Sequence, residues 1–218
     1  MRLPTGTELA IALAAFLLAW YAAGIHVNRR RAGQLVRQVR DSIQPLGGTA
    51  TIRWIGRSAF RIEVEGLPSP ILRLVVNGLL EPRETFLLWL VGRMGGRRDW
   101  LMVNATLPGP VGPGFEIYHP RRRGAADSAH RAGEAGWTIE PVPGRQGLVA
   151  ATLDANARAF ALDLLAGLRS VEIWSLSLHP EDARLTISLP VRASENVSKL
   201  PVFDVLPSLA EAVIRRRR

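Results

Sequence analysis

Residues 9–27 read LAIALAAFLLAWYAAGIHV, and Asn28-Arg29-Arg30-Arg31 follows directly. No charged side chain interrupts the run, whose length falls within the roughly 17–25 apolar residues that cross a bilayer core. A single transmembrane anchor is expected at 9–27. Before it lie only Arg2 and Glu8; after it come Arg29, Arg30, Arg31, Arg37 and Arg40. Positive flanks stay on the cytoplasmic side. Residues 1–8 are therefore expected outside, as a short extracytoplasmic N-terminus, and the chain from residue 28 inside. A cleaved secretory signal fits less well. The leading segment is barely basic, and Trp20 and Tyr21 stand where a small-residue cleavage motif belongs.

Beyond the anchor, Leu35, Val36, Val39 and Ile43 recur at helical spacing between charged residues. They predict an amphipathic juxtamembrane helix within 28–45, ended by Pro45 and Gly47-Gly48. Alternating apolar and polar residues at 49–55 and 59–65 flank Gly56-Arg57-Ser58, the pattern of a hairpin. A third strand is expected at 71–80. Pro82 is placed to open a helix that runs to Gly95-Gly96. Strands are expected at 100–107 and 115–119, separated by a Pro- and Gly-rich turn.

Residues 120–147 read as loop-rich, with either a short helix near 125–135 or flexible loop. A strand at 149–153 leads to Asp154, a natural N-cap. The helix after it should bury Ala157, Ala161, Leu164, Leu165 and Leu168. Strands are expected at 171–178 and 185–191, then a last helix carrying Leu206, Leu209, Ala210, Val213 and Ile214. The order strand, helix, strand, strand occurs twice, at 71–119 and 148–191. The expected fold is α+β: a transmembrane helix followed by a cytosolic domain, 46–218, of largely antiparallel sheet with packed helices.

The chain has no cysteine, which excludes disulfides, thiol chemistry and thiolate zinc sites. Its formal charge is +9, and every basic residue except Lys199 is arginine. Position matters more than the total. Arg29, Arg30, Arg31, Arg37 and Arg40 are placed to meet anionic headgroups, where each contributes about 1 kcal/mol. Arg121, Arg122, Arg123 and Arg215, Arg216, Arg217, Arg218, with the pair at 97–98, are candidates for phosphate contact with lipid or RNA. A solvated surface face is the competing reading for each cluster.

No catalytic constellation is present. His26, His119, His130 and His179 lack the i, i+3 or i+4 spacing of a metal-binding helix, and the glycines at 92, 95 and 96 end a helix where a phosphate loop would precede one. No enzyme activity, metal, cofactor or small-molecule substrate is expected. One segment stands out: the helix at 83–94 is apolar nearly all round from Phe86 to Val91. It should be buried on every side, as a core helix, or face something apolar. In the second case Phe86, Leu87, Trp89 and Leu90 form a surface for a client's hydrophobic helix.

Taken in order, the elements resemble the calumin family, single-pass endoplasmic-reticulum subunits of the translocon-associated PAT complex. The likeness runs from about residue 10 to 214. It is carried by the anchor with its basic flank, the helix 32–43 ending in Pro45-Leu46-Gly47, and Ile71-Leu72-Arg73-Leu74-Val75-Val76. It continues through 82–94, the strand 101–106, Val171-Glu172-Ile173-Trp174, Leu185-Thr186-Ile187-Ser188-Leu189-Pro190-Val191 and a helix after Pro201. The resemblance implies a partner of translocon or insertase subunits and the ribosome, acting on membrane-protein clients. Only eight residues precede the anchor, so the family's acidic luminal segment and its calcium binding are not carried over. The chain stops at Arg218, where relatives continue into a basic helix that reaches the ribosome. A compact prokaryotic-type homologue in the plasma membrane is the expectation, or in the endoplasmic-reticulum membrane if the source is eukaryotic. The function expected is non-catalytic help in membrane-protein insertion or folding. A scaffold that docks on anionic lipid and organises another membrane complex is the alternative.

Overall fold

A computed structural model describes residues 6–96, 98–122, 124–191 and 199–216. Helix α1 runs unbroken over Gly6–Ile43, 38 residues, or about 57 Å at helical rise. Its first half is long and apolar enough to cross a membrane. Leu9, Ile11, Leu13 and Leu18 on it are exposed. Its second half belongs to the domain: Ala32, Leu35, Val39 and Ile43 are buried. Ser42 Oγ donates to Gln38 O and accepts from the Leu200 N–H at 2.8 Å, which ties the end of α1 to the approach of the last helix. A single 3-10 turn at Gln44–Leu46 carries Pro45 and stops the helix.

Nine strands follow: β1 (Thr49–Trp54), β2 (Ala59–Glu65), β3 (Arg73–Leu79), β4 (Trp100–Thr106), β5 (Phe115–Tyr118), β6 (Thr138–Pro141), β7 (Val149–Thr152), β8 (Ser175–His179) and β9 (Arg184–Pro190). They form one sheet in the order β1-β2-β3-β4-β9-β8-β5-β7-β6. Every pairing is antiparallel. The remaining helices are α2 (Phe86–Met94), α3 (Ala125–Glu134), α4 (Ala155–Gly167) and α5 (Val202–Arg215). The fold is α+β, as the two strand-helix-strand-strand groups imply.

Side-chain alternation builds the core. Register places Ile62 beside Val76, Val76 beside Val103, Val103 beside Ile187, Ile187 beside Leu176, and Leu176 beside Ile117. Because successive residues point to opposite faces, this row lies on one side, packed with α1, α4 and α5 residues such as Val39, Leu164 and Leu206. Among the described residues, a helix covers the other face only at the β5–β7 end, where Tyr118 and Ala151 meet Ala125 and Ala132 of α3. Elsewhere it carries polar pairs such as Arg61–Glu63 and Thr186–Asn104.

Three expectations change. Residues 120–147 hold α3 and β6; β6 is a short edge strand with little apolar content, so periodicity could not reveal it. The strand expected at 171–178 begins only at Ser175. Val171 N–H closes a turn onto Leu168 O, and Val171 and Ile173 are buried from that turn. Ser175 and Ser177 are buried too, because both faces of β8 are covered. The helix expected from Pro82 begins at Phe86, since the polar groups of 81–84 are committed elsewhere. Asp154 does cap α4, its Oδ1 accepting from the Ala157 N–H at 2.7 Å.

Because the second half of α1 is core, Leu35→Ala should lower stability by about 2–5 kcal/mol. Leu13→Ala, on the exposed half, should leave it unchanged. Denaturation of both variants in detergent checks the contrast.

Candidate functional site

The distinctive site lies where α1 meets the segment 81–94. Gly24 is buried on α1, and a Cβ there would stand 2.4 Å from the Arg83 carbonyl oxygen. Only glycine permits that approach. Trp20 Nε1 donates to the same oxygen at 2.8 Å. Above it, the Phe86 ring meets Trp20 edge-on at 4.9 Å and Phe16 at 5.5 Å, and Trp89 lies 5.1 Å from Trp20.

Below Gly24 a polar network closes the joint. Asn28, almost fully buried, donates from Nδ2 to Glu81 O at 3.0 Å and to Glu84 Oε2 at 2.7 Å. Its Oδ1 accepts from Arg83 Nη1 at 3.1 Å. The Arg83 guanidinium also forks onto Asp99, at 3.0 and 3.1 Å. Asp99 accepts the Glu81 N–H at 2.7 Å and pairs with Arg31 at 3.3 Å. Glu81 accepts from Trp89 Nε1 at 3.1 Å and lies 3.5 Å from Arg93. Two carboxylates, Glu81 and Asp99, thus face the guanidiniums of Arg31, Arg83 and Arg93, which is what allows them to be buried. From Glu81 to Phe86 the chain climbs α1 from Asn28 to Phe16; α2 returns and brings Arg93 back beside Glu81.

This geometry disposes of the core-helix reading of 83–94. In α2 only Gly92 is buried. Leu87, Val91 and Met94 are 67%, 69% and 81% exposed, and Leu88 and Leu90 are exposed as well. Phe86 and Trp89 are half-buried, spent on α1. The apolar surface expected at Phe86, Leu87, Trp89 and Leu90 is therefore divided: two rings hold the joint, and the leucines face outward. The β1–β2 hairpin reaches the same level of α1. Arg57 contacts Tyr21 by hydrogen bond and lies over its ring, while Trp54 and Ile55 are 52% exposed.

The arginines fall into two groups. Arg29, Arg30, Arg37 and Arg40 are exposed on α1, whereas Arg31 turns towards Asp99. Arg121 is exposed. Arg122 is drawn inward: its Nη2 lies 2.7 Å from Glu116 Oε1, which also accepts from Ser128 Oγ at 2.6 Å, and the guanidinium covers the Tyr118 ring. Arg215 pairs with Glu211. Arg216 pairs with Asp163 and stacks over Phe160. Arg97, Arg123, Arg217 and Arg218 lie outside the described residues. Among the described residues, no three His, Asp or Glu side chains are grouped to hold a metal.

Asn28, Glu81, Arg83, Glu84 and Asp99 were not singled out by sequence. Their signal is faint: a Glu-Pro-Arg-Glu cluster just ahead of an apolar helix. Replacing Arg83 by Met strands the buried carboxylates and should cost about 3–5 kcal/mol. Arg83→Lys should recover little of it, because an ammonium cannot fork; thermal unfolding of both variants decides this.

Burial, followed by the nearby Glu116 charge, raises the Tyr118 pKa above its ordinary value. A raised folded pKa means stability that is complete below the unfolded value of about 10 and fades as pH rises through the folded one. Tyr118→Phe should therefore flatten the loss of stability at alkaline pH, seen in denaturation midpoints across that range. No protein-family model matches the chain, and no curated protein matches it.

Proposed function

We propose that this protein is a membrane-anchored, non-catalytic module that assists insertion or folding of membrane proteins near the translocon. The N-terminus lies outside and the folded domain in the cytoplasm. The observation that carries the reading is α2, a helix with four exposed leucine and valine side chains held directly against an apolar helix long enough to span a bilayer. Large exposed apolar patches mark interaction surfaces. Here the surface is continuous with the anchor, where a client's transmembrane helix would approach laterally. The packing of Trp20 and Gly24 into the joint supports retention of α1 over its removal as a signal, since cleavage would strip the partner of segment 81–94.

The scaffold reading, docking on anionic lipid and organising another membrane complex, draws on the exposed Arg29, Arg30, Arg37 and Arg40. The two readings part on what is found next to the protein. A C-terminally tagged chain, crosslinked in native membranes, should enrich translocon or insertase subunits, ribosomes and nascent membrane proteins. Enrichment of a different membrane complex, with translocon subunits at background, favours the scaffold. Leu87→Asp should leave domain stability within about 0.5 kcal/mol, as expected for an exposed position, while reducing client crosslinks. Unchanged crosslinks would remove α2 from the client surface.

A further inference from the structure

Where α1 crosses the bilayer, its length leaves little room for the domain to stay out of it. Segment 81–94 packs on α1 as far up as Phe16, and the hairpin tip reaches Tyr21. From Leu9, where the uncharged run begins, to Phe16 the helix is only about 12 Å long, less than half of the roughly 30 Å hydrocarbon core. If α2 remained in water, the free part of α1 could not span. Continued to Val27, the helix spans, but then Trp20 lies about 10 Å inside the membrane end of that run. Whatever packs on Trp20 lies there too.

We infer that α2 and the β1–β2 hairpin tip are seated in the cytoplasmic leaflet, so that the domain holds the bilayer at a second place beside its anchor. The occupant of the exposed apolar surface in the resting protein is lipid, which a client helix arriving within the bilayer would displace. This rests on the anchor reading above and does not depend on any client. Trp54, Ile55, Leu87, Leu88, Val91 and Met94 supply the apolar contact. An interfacial helix sinks its apolar face about 5–10 Å into the headgroup and acyl boundary, the depth that the contact with Trp20 sets.

Backbone polar groups at that depth need partners within the protein, and several in segment 81–85 have them. The Glu81 carbonyl receives Asn28 Nδ2, the Arg83 carbonyl receives Trp20 Nε1, and the Thr85 N–H reaches Pro82 O. Pro82 has no N–H to satisfy. Glu81 and Arg83 are paired with each other in the joint and Glu84 accepts from Asn28, the condition for ionisable groups close to hydrocarbon. The exposed Arg29 stands at the rim, where a long side chain reaches headgroup phosphates.

The absence of cysteine permits single, unique labels. Full-length chains carrying Leu13→Cys, Ile55→Cys, Leu87→Cys, Val91→Cys or Asp163→Cys would be spin-labelled and reconstituted in vesicles of phosphatidylcholine with phosphatidylglycerol. Collision with oxygen, which concentrates in lipid, would be compared with collision with a water-soluble nickel chelate. Leu13, about 6 Å inside the outer end of the run, and Leu87, Val91 and Ile55, near the level of Trp20 and Tyr21, are all expected at lipid depth. Each should show a several-fold higher oxygen-to-nickel ratio than Asp163. If Leu13 is deep while 55, 87 and 91 match Asp163, the leaflet seating is wrong and the anchor stands. If Leu13 is also aqueous, anchor and seating fall together. Labels at 87 and 91 shielded from both reagents would mean that a second copy of the chain covers α2, which overturns lipid as its occupant.

Discussion

Everything distinctive about this protein depends on the close approach of segment 81–94 to one continuous helix. Gly24 removes the side chain that would hold the two backbones apart, and Trp20, Phe86 and Trp89 fill the space on either side. Because α1 has no break, its apolar and buried halves move as one body. A kink would need a proline, paired small residues or an inserted group, and α1 runs as helix through Asn28. The domain is therefore mounted rigidly on its membrane-length helix, unlike a domain tethered through a flexible linker.

Charge is used in two ways. Arg31, Arg83 and Arg93 neutralise the carboxylates of the joint, and Arg122 neutralises Glu116 beneath α3. These guanidiniums hold the fold together. Removing one partner of such a buried pair costs far more than an exposed pair contributes. The exposed Arg29, Arg37 and Arg40 of α1 face headgroups in the proposed arrangement, and a count of arginines alone would not have separated them from the structural ones.

Most elements were legible because their residues repeat with a period. Burial alternates along β2, β3 and β4, α4 carries its cap and buried stripe, and the apolar run of α1 is unmistakable. The errors fall where period fails. In β8 both faces are covered, so the serines are as buried as the leucines, and an alternating pattern was extended back to Val171. In β6 few residues are apolar, and pairing with β7 alone makes the strand. In α2 an apolar helix was open to two opposite readings, because hydrophobicity records a preference for leaving water and not the medium entered instead.

What the sequence by itself determined was a membrane-length helix, an α+β domain behind it, and the absence of thiol chemistry. Run length, periodicity and composition are local properties that act before any long-range contact forms. Only the tertiary structure decided that α2 stands outside the core, that its neighbours are Phe16 and Trp20, and which arginines are paired. Those facts depend on residues more than fifty positions apart meeting, as Asn28 meets Glu81. No window of sequence contains both partners of such a contact.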